Sequence, residues 1–383
     1  MLLTNKHIAI IGAGPGGLTL ARLLQHSGAS VHVYERDEHP DVRVQGATLD
    51  LHLDSGLLAL QEAGLMDAFR ANYRPGADRL RIVDKDAQVL HEETGDDPDA
   101  FFRPEIDRGP LRKLLLDSLE PGTVLWDRQF KSMTQQHGAW TLTFANGATA
   151  KADLVIAADG ARSLIRPYLT PIQPFYSGVT IVEGNVPDSA TTVPVIHELL
   201  AGGKIFAMGD EKSLIISSKG DGSLVFYFGC KTPANWHNKL APALNDRQQL
   251  KNWFRQTFAN WADMWLALLE QATLPLMVRP QYCMPLDQQW DAQPNLTMIG
   301  DAAHLMPPYA GEGVNMAMLD ALELSQCLTN DKFADIQTAI AAFETRMRQR
   351  AAEIARLTLE QTASMHSPQA IPDLLALFSP TDS

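Results

Sequence analysis

The chain has 383 residues, more than one ordinary hydrophobic core supports, so two domains are expected. Hydrophobic residues make up 45% and charged residues 20%, the balance of a soluble globular enzyme. A net charge of −13 with no block of like charge excludes the basic footprint that a nucleic-acid partner requires.

The first element is a buried strand at His7 to Ile11, apolar and β-branched. It is cut by Gly12 and Pro15, too early for a signal peptide or a membrane span. A helix from Gly14 to Gln25 and a strand from Ser30 to Tyr34 complete a βαβ unit. Helical periodicity returns at Ser55 to Ala63 and at Arg108 to Leu119. Arg79 to Val83, Val89 to His91, Thr123 to Trp126 and Trp140 to Phe144 read as strands, and Asn146-Gly147 as a hairpin turn. Another buried strand, Asp153 to Ala157, ends at Asp159-Gly160.

From about 171 to 280 the texture changes to alternating segments separated by Gly, Asp and Pro: Val179 to Val186, Lys204 to Met208, Ser213 to Ser218 and Ser223 to Phe228. This predicts an antiparallel sheet with one half-buried face, with helices at Gln248 to Phe258 and Trp261 to Leu269 beside it. A buried strand returns at Leu296 to Ile299, followed by helices from Glu312 to Leu328 and from Asp335 to Thr362. The expected fold is therefore α/β plus α+β. A discontinuous Rossmann-like domain (1–170 and 281–330) is interrupted by a substrate sheet domain (171–280) and followed by a C-terminal bridging helix (331–383).

Gly12, Gly14 and Gly17 match G-x-G-x-x-G. The first permits the tight turn, the second lets backbone approach a pyrophosphate, and the third lets helix pack on strand. Glu35, at the end of the next strand, suits the ribose hydroxyls of an adenosine. The motif alone does not choose between NAD and FAD. The run from Leu296 to Asn315 adds a Gly-Asp pair at Gly300-Asp301, two stiffening prolines, and two glycines that open a helix. It places a carboxylate, bare amides and a positive helix end around one spot, suited to a ligand that accepts negative charge. His304 reads as a satisfied loop histidine. Cys230, Cys283 and Cys327 are far apart and odd in number, which points to a reducing cytoplasm and to no metal or disulfide framework. No side chain is singled out as catalytic.

These segments resemble the class A FAD monooxygenases, the flavoprotein aromatic hydroxylases. The resemblance is carried by Asp159-Gly160 with Ser163 and Arg166, and by the Gly300-Asp301 run. It is strongest to the TetX-like, tetracycline-inactivating branch, through Tyr34–Asp37, Thr48–His52 and Gly300–Pro308. It covers nearly the whole chain and weakens from about 171 to 280. The resemblance implies bound FAD and NADPH as co-substrate. Cofactor contacts would come from Arg36, Asp50, Arg108, Asp159, Asp301, Gly311, Gly313 and Val314, with Arg43 toward NADPH. It implies a flavin C4a-hydroperoxide formed with O2, and hydroxylation of a small aromatic or enolic polycyclic substrate, a tetracycline-type antibiotic among them, by a cytoplasmic monomer. The substrate wall would comprise Val182, Lys204, Phe206, Val225 and Pro308. Here Val182, Lys204 and Val225 stand where that branch presents Gln, Arg and His, so the wall departs from it. Arg162 and Arg166 read as partners for surface acids. The C-terminal helix reads as a strut between domains, with Leu374 to Phe378 as a closure for the substrate entrance. A flavin reductase or dehydrogenase, and a flavoprotein that only sequesters its ligand, are the alternative functions.

Overall fold

Five strands form a wholly parallel sheet in the order Leu296–Met298, Leu154–Ala157, His7–Ile11, Ser30–Tyr34 and Val124–Leu125. The computed structural model describes residues 2–42, 48–94, 103–240 and 243–378. The strands Leu154–Ala157 and Leu296–Met298, and His7–Ile11 from Ile8 onward, are buried on both faces because helices cover both sides of such a sheet. Pro15–His26 follows the first strand, with proline at its first turn where no intrahelical N–H is lost. It packs against Gly313–Thr329 so closely that a Cβ on Gly16 would lie 2.9 Å from the Ala317 carbonyl oxygen.

A second sheet of seven strands runs Met277–Cys283, Phe175–Val186, Leu224–Lys231, Lys212–Ser218, Lys204–Gly209, Leu80–Asp84 and Val89–Glu93. Its last two strands come from the stretch that the sequence assigns to the nucleotide domain. The substrate layer is thus built from two separated pieces of chain. Leu80–Asp84 joins in parallel with Lys204–Gly209, while the other neighbours are antiparallel.

Strand alternation divides this sheet into two surfaces. Val182, Val186, Ile205, Ala207, Leu214, Ile216, Phe226 and Phe228 point into a core shared with Arg247–Thr257 and Leu266–Gln271. Ile181, Met208 and Ile82, with Phe206, Ile215 and Tyr227 beside them, face the opposite way, toward Tyr309 and Ala370–Leu377. Smaller sheets complete the fold. Phe130–Gln136, Ala139–Phe144 and Thr149–Ala152 form a meander whose second turn is Asn146-Gly147, with Gly147 at φ +85°. Thr48–Asp50 pairs with Glu105–Asp107.

The 30-residue helix Ile336–Met365 starts from a reciprocal cap between Asp335 and Thr338. Phe343 and Met347 bury in the nucleotide core, whereas Met365 buries against the seven-stranded sheet. The helix therefore spans both layers as a strut. Leu357, on the same helix, is exposed.

Gly16→Val should force apart the two packed helices and lower stability by about 1–3 kcal/mol. Chemical denaturation checks this, and an unchanged midpoint would mean that the close approach to Ala317 is not sustained in solution.

Candidate active site

Gly12 adopts φ +111° and Gly17 sits where a Cβ would be 2.2 Å from the Gly12 carbonyl oxygen, so both must be glycine. Gly14 differs: nothing lies within 4 Å of where its Cβ would be. The turn thus leaves open space at the N-terminus of Pro15–His26, as a phosphate group needs. The buried Glu35 carboxylate accepts from the Ala13 N–H at 2.7 Å and the Asp37 N–H at 3.1 Å. It fixes the turn. Arg36 next to it is exposed, and Arg43 lies outside the described residues.

Asp159 follows the adjoining strand, with its backbone against Gly12. One carboxylate oxygen accepts from the Leu164 N–H at 2.8 Å, while the other is buried without a hydrogen-bond partner. Burial raises the pKa of this carboxyl. Such an orphan oxygen suits a ligand that donates a hydrogen bond to it.

The Gly300-Asp301 turn is set by a buried charged cluster. Gly300 has φ +60° and ψ −145°, a conformation for which glycine is suited. Its N–H donates to Asp320 Oδ2 at 2.9 Å, and the same oxygen lies 2.5 Å from His304 Nε2. Arg350, from the long C-terminal helix, donates to Asp320 Oδ1 at 2.8 Å and to Glu323 at 2.7 Å. Asp320 is fully buried. Burial raises its pKa, but His304 and Arg350 outweigh that and hold it low. For His304, burial lowers the pKa and Asp320 raises it further than burial lowers it. His304 is therefore engaged structurally, as its place in a tight loop predicts. Arg166, expected to meet surface acids, instead is buried and caps carbonyls. It donates to Ala302 O at 3.0 Å, Ala303 O at 2.9 Å and the Gln288 side chain at 2.7 Å. Burial lowers its pKa to about 10.

Asp301 itself opens to solvent through the cleft, with protein on its other sides. Burial raises its pKa, and His304 and Arg108 oppose that rise. Arg108 is the exposed first residue of Arg108–Asp117, and its charge acts on Asp301. This explains a cation at a helix N-terminus, where the helix dipole disfavours it. Beyond Asp301, Gly311 and Gly313 are exposed, and Val314 begins the buried part of helix Gly313–Thr329.

Asp50 closes the other side. Its carboxylate lies 3.2 Å from His52 Nε2 and 3.9 Å from Arg103, and a Cβ on Gly311 would lie 3.3 Å from it. Burial raises its pKa, yet His52, Lys204 and Arg103 together bring it to about 2. Asn315 clamps this segment by accepting from His52 N–H at 3.0 Å and donating to Asp50 O at 2.9 Å.

The expected substrate wall is only partly realised. Val182 is fully buried in the helix-side core and points away from the cleft, so it is not a wall residue. Its neighbours Ile181 and Glu183 take the facing positions. Lys204 does face the cleft side, but its ammonium pairs with the buried Glu105 carboxylate. Val225 is on the facing surface and almost wholly buried. Phe206, with Ile215 and Tyr227 beside it in register, forms the half-buried apolar centre, and Pro308 is exposed on the loop opposite. Ala370–Leu377 packs on the same face near Phe206.

Three residues with structural roles were missed. Asp320 carries a readable signal, a lone acid in the apolar run Met318 to Leu322. Arg112 donates to Pro40 O at 2.6 Å and Ala13 O at 3.4 Å, bracing the Gly-rich turn. His366 is described below, and nothing in its sequence neighbourhood marks it. Among the described residues no group of His, Cys, Asp and Glu could hold a metal ion, and no helix is long and apolar enough to cross a membrane.

A family model described as FAD binding domain matches residues 5–356. Monooxygenase asqM of Emericella nidulans is 31% identical, covering 96% of this chain and 97% of its own length. The 3-amino-4-hydroxybenzoate 2-monooxygenase of Streptomyces cremeus is 26% identical over 94% of this chain and 88% of its own. The tetracycline destructase Tet(51) superposes with a TM-score of 0.73 at 19% identity, over 97% of this chain and 94% of that one, a likeness of fold.

Asp320→Ala leaves the Gly300 N–H, His304 and Arg350 without their shared partner, and should cost about 3–5 kcal/mol of stability. Thermal unfolding measures this, and a variant within 1 kcal/mol of the parent would refute the cluster's structural role. Asp50 has a lowered folded pKa, so its contribution is full above its unfolded pKa and fades as pH falls through the folded value of about 2. The stability gap between the parent and Asp50→Asn should therefore narrow as pH drops from about 5 toward 2. A gap that widens on acidification would contradict this.

Proposed function

The chain belongs to the FAD binding domain family, that of the class A flavoprotein monooxygenases, and we propose that it is an NADPH-consuming enzyme that hydroxylates an aromatic or enolic ring. The observation that carries this reading is the meeting of three distant segments around Ala317 and Asp159. Gly16 and Gly300 both abut Ala317, and Gly12 abuts Asp159.

The open Gly14 turn and the orphan Asp159 oxygen are the features into which FAD fits. When bound, FAD supplies the redox and oxygen-activating chemistry. The protein's residues bind and orient. Glu35 would hold the adenosine ribose, and the N-terminus of Pro15–His26 would hold the pyrophosphate. Asp301 would hold the ribityl chain, and the amides of Gly311, Gly313 and Val314 would stabilise negative charge at the ring edge. Asp50 and Arg108 would flank the cofactor from either side. Arg36 would lie near the adenosine and Arg43 is assigned to NADPH, which would dock transiently because the chain carries no second G-x-G-x-x-G.

The substrate would lie between Pro308 and the Phe206, Ile215 and Tyr227 surface. That surface is apolar, and the nearby Lys204 charge is engaged by Glu105. We therefore place the substrate among fused or substituted aromatic rings of modest polarity. A tetracycline-type ring system is the polar extreme of this class. The Gly300–Pro308 run supports it, and Val225 in place of a polar group weighs against it.

Purified protein should be yellow and should oxidise NADPH faster with a phenolic or enolic substrate, adding one oxygen atom by mass spectrometry. Asp301→Ala should weaken FAD retention about tenfold or more. Turnover of NADPH with no oxygen uptake would instead mark a reductase. Unresponsive NADPH oxidation across phenols, hydroxyarenes and tetracyclines would mark a sequestering flavoprotein.

A further inference from the structure

The C-terminal helix ends on a histidine that meets the cofactor loop. His366, fully buried, follows Ile336–Met365, and its Nδ1–H donates to the Thr362 carbonyl at 2.7 Å. That bond leaves Nε2 as an acceptor. Two hydroxyls reach it: Ser213 Oγ at 3.1 Å from the sheet and Tyr309 Oη at 3.4 Å from the cofactor loop. The Tyr309 and His366 rings meet edge to face at 5.1 Å. A single lone pair thus serves groups from three parts of the fold.

The space for this meeting is supplied by Gly229. A Cβ there would lie 2.3 Å from Ser213 Oγ, 2.6 Å from Tyr309 Oη and 2.8 Å from His366 Nε2. No side chain other than hydrogen is compatible with all three contacts. Tyr309 lies in the short turn Pro308–Ala310, two residues before Gly311 at φ +73° and four before the first residue of the helix Gly313–Thr329. Fixing its ring therefore fixes the approach to the amides of Gly311, Gly313 and Val314.

We propose that His366 is a positioning residue for the reaction: through Tyr309 it holds the cofactor loop so that the Gly311 to Val314 amides stay aimed at the flavin ring edge. This rests on the placement of FAD given above. Those amides act on charge that develops only when the ring is reduced. Loosening them weakens binding of the reduced ring more than binding of the oxidised ring, so the reduction potential moves to more negative values.

The test is a redox titration of FAD-loaded protein at fixed poise, which needs neither substrate nor NADPH. His366→Phe keeps ring volume and removes the acceptor. Tyr309→Phe removes one oxygen and keeps the ring, and so carries the test if His366→Phe fails to fold. In each, the reduced-to-oxidised flavin ratio should fall about fivefold, the worth of one net hydrogen bond. The double variant should fall no further than either alone. FAD-loaded variants with the parent ratio, or a double variant whose effects simply add, would overturn the proposal. A parent protein that takes up no FAD would instead sink the cofactor reading on which it rests.

Discussion

One buried carboxylate decides where the Gly300-Asp301 turn can be. Asp320 sits in the middle of an otherwise apolar helix and cannot be solvated there. It is tolerable only with partners, and those partners are the Gly300 N–H, His304 and Arg350. The same requirement thus fixes a glycine at positive φ, the loop that carries Asp301, and the register of the long helix. A well-packed apolar residue at 320 could be as stable. What the charge adds is a unique geometry, because only one arrangement satisfies all three donors.

Around that point the molecule divides its tasks. Glycines make the room: Gly12 and Gly17 for the turn itself, Gly14 for a ligand. Two buried arginines brace backbone, Arg112 at the Gly-rich turn and Arg166 at the carbonyl end of the short helix Asp301–His304. Two acids have displaced pKa values, Asp50 held down to about 2 by its cationic neighbours and Asp159 raised by burial.

The nucleotide layer was legible because its strands are continuous apolar runs that end in Gly or Asp, and each such ending is a turn of functional use. The hairpin at Asn146-Gly147 and the starts of the two long helices were readable for the same local reason. The substrate sheet was less so. Val179 to Val182 is apolar on both faces, since one face meets a helical core and the other meets Tyr309, so the run carries no sign of its phase. The resemblance puts Val182 on the wall where the structure puts it in the core, and nothing in the run corrects it, because a single-residue slip exchanges wall for core. The strands at 80–93 joined that sheet through a parallel pairing with Lys204–Gly209, a contact with no local signature. Arg166 read as a surface cation because its carbonyl partners are distant in sequence.

The split origin of the seven-stranded sheet bears on how new specificities can arise by recombination. A transplant of residues 171–280 alone would separate Lys204–Gly209 from its partner Leu80–Asp84 and would carry Gly229 without Tyr309 and His366. The unit that must be inherited together is therefore four segments, not one. Shuffling at a single pair of crossover points would break it, whereas point changes on the Phe206, Ile215 and Tyr227 surface leave every long-range join intact. Diversification in a fold wired this way is expected to proceed by local drift of the wall more readily than by exchange of whole modules.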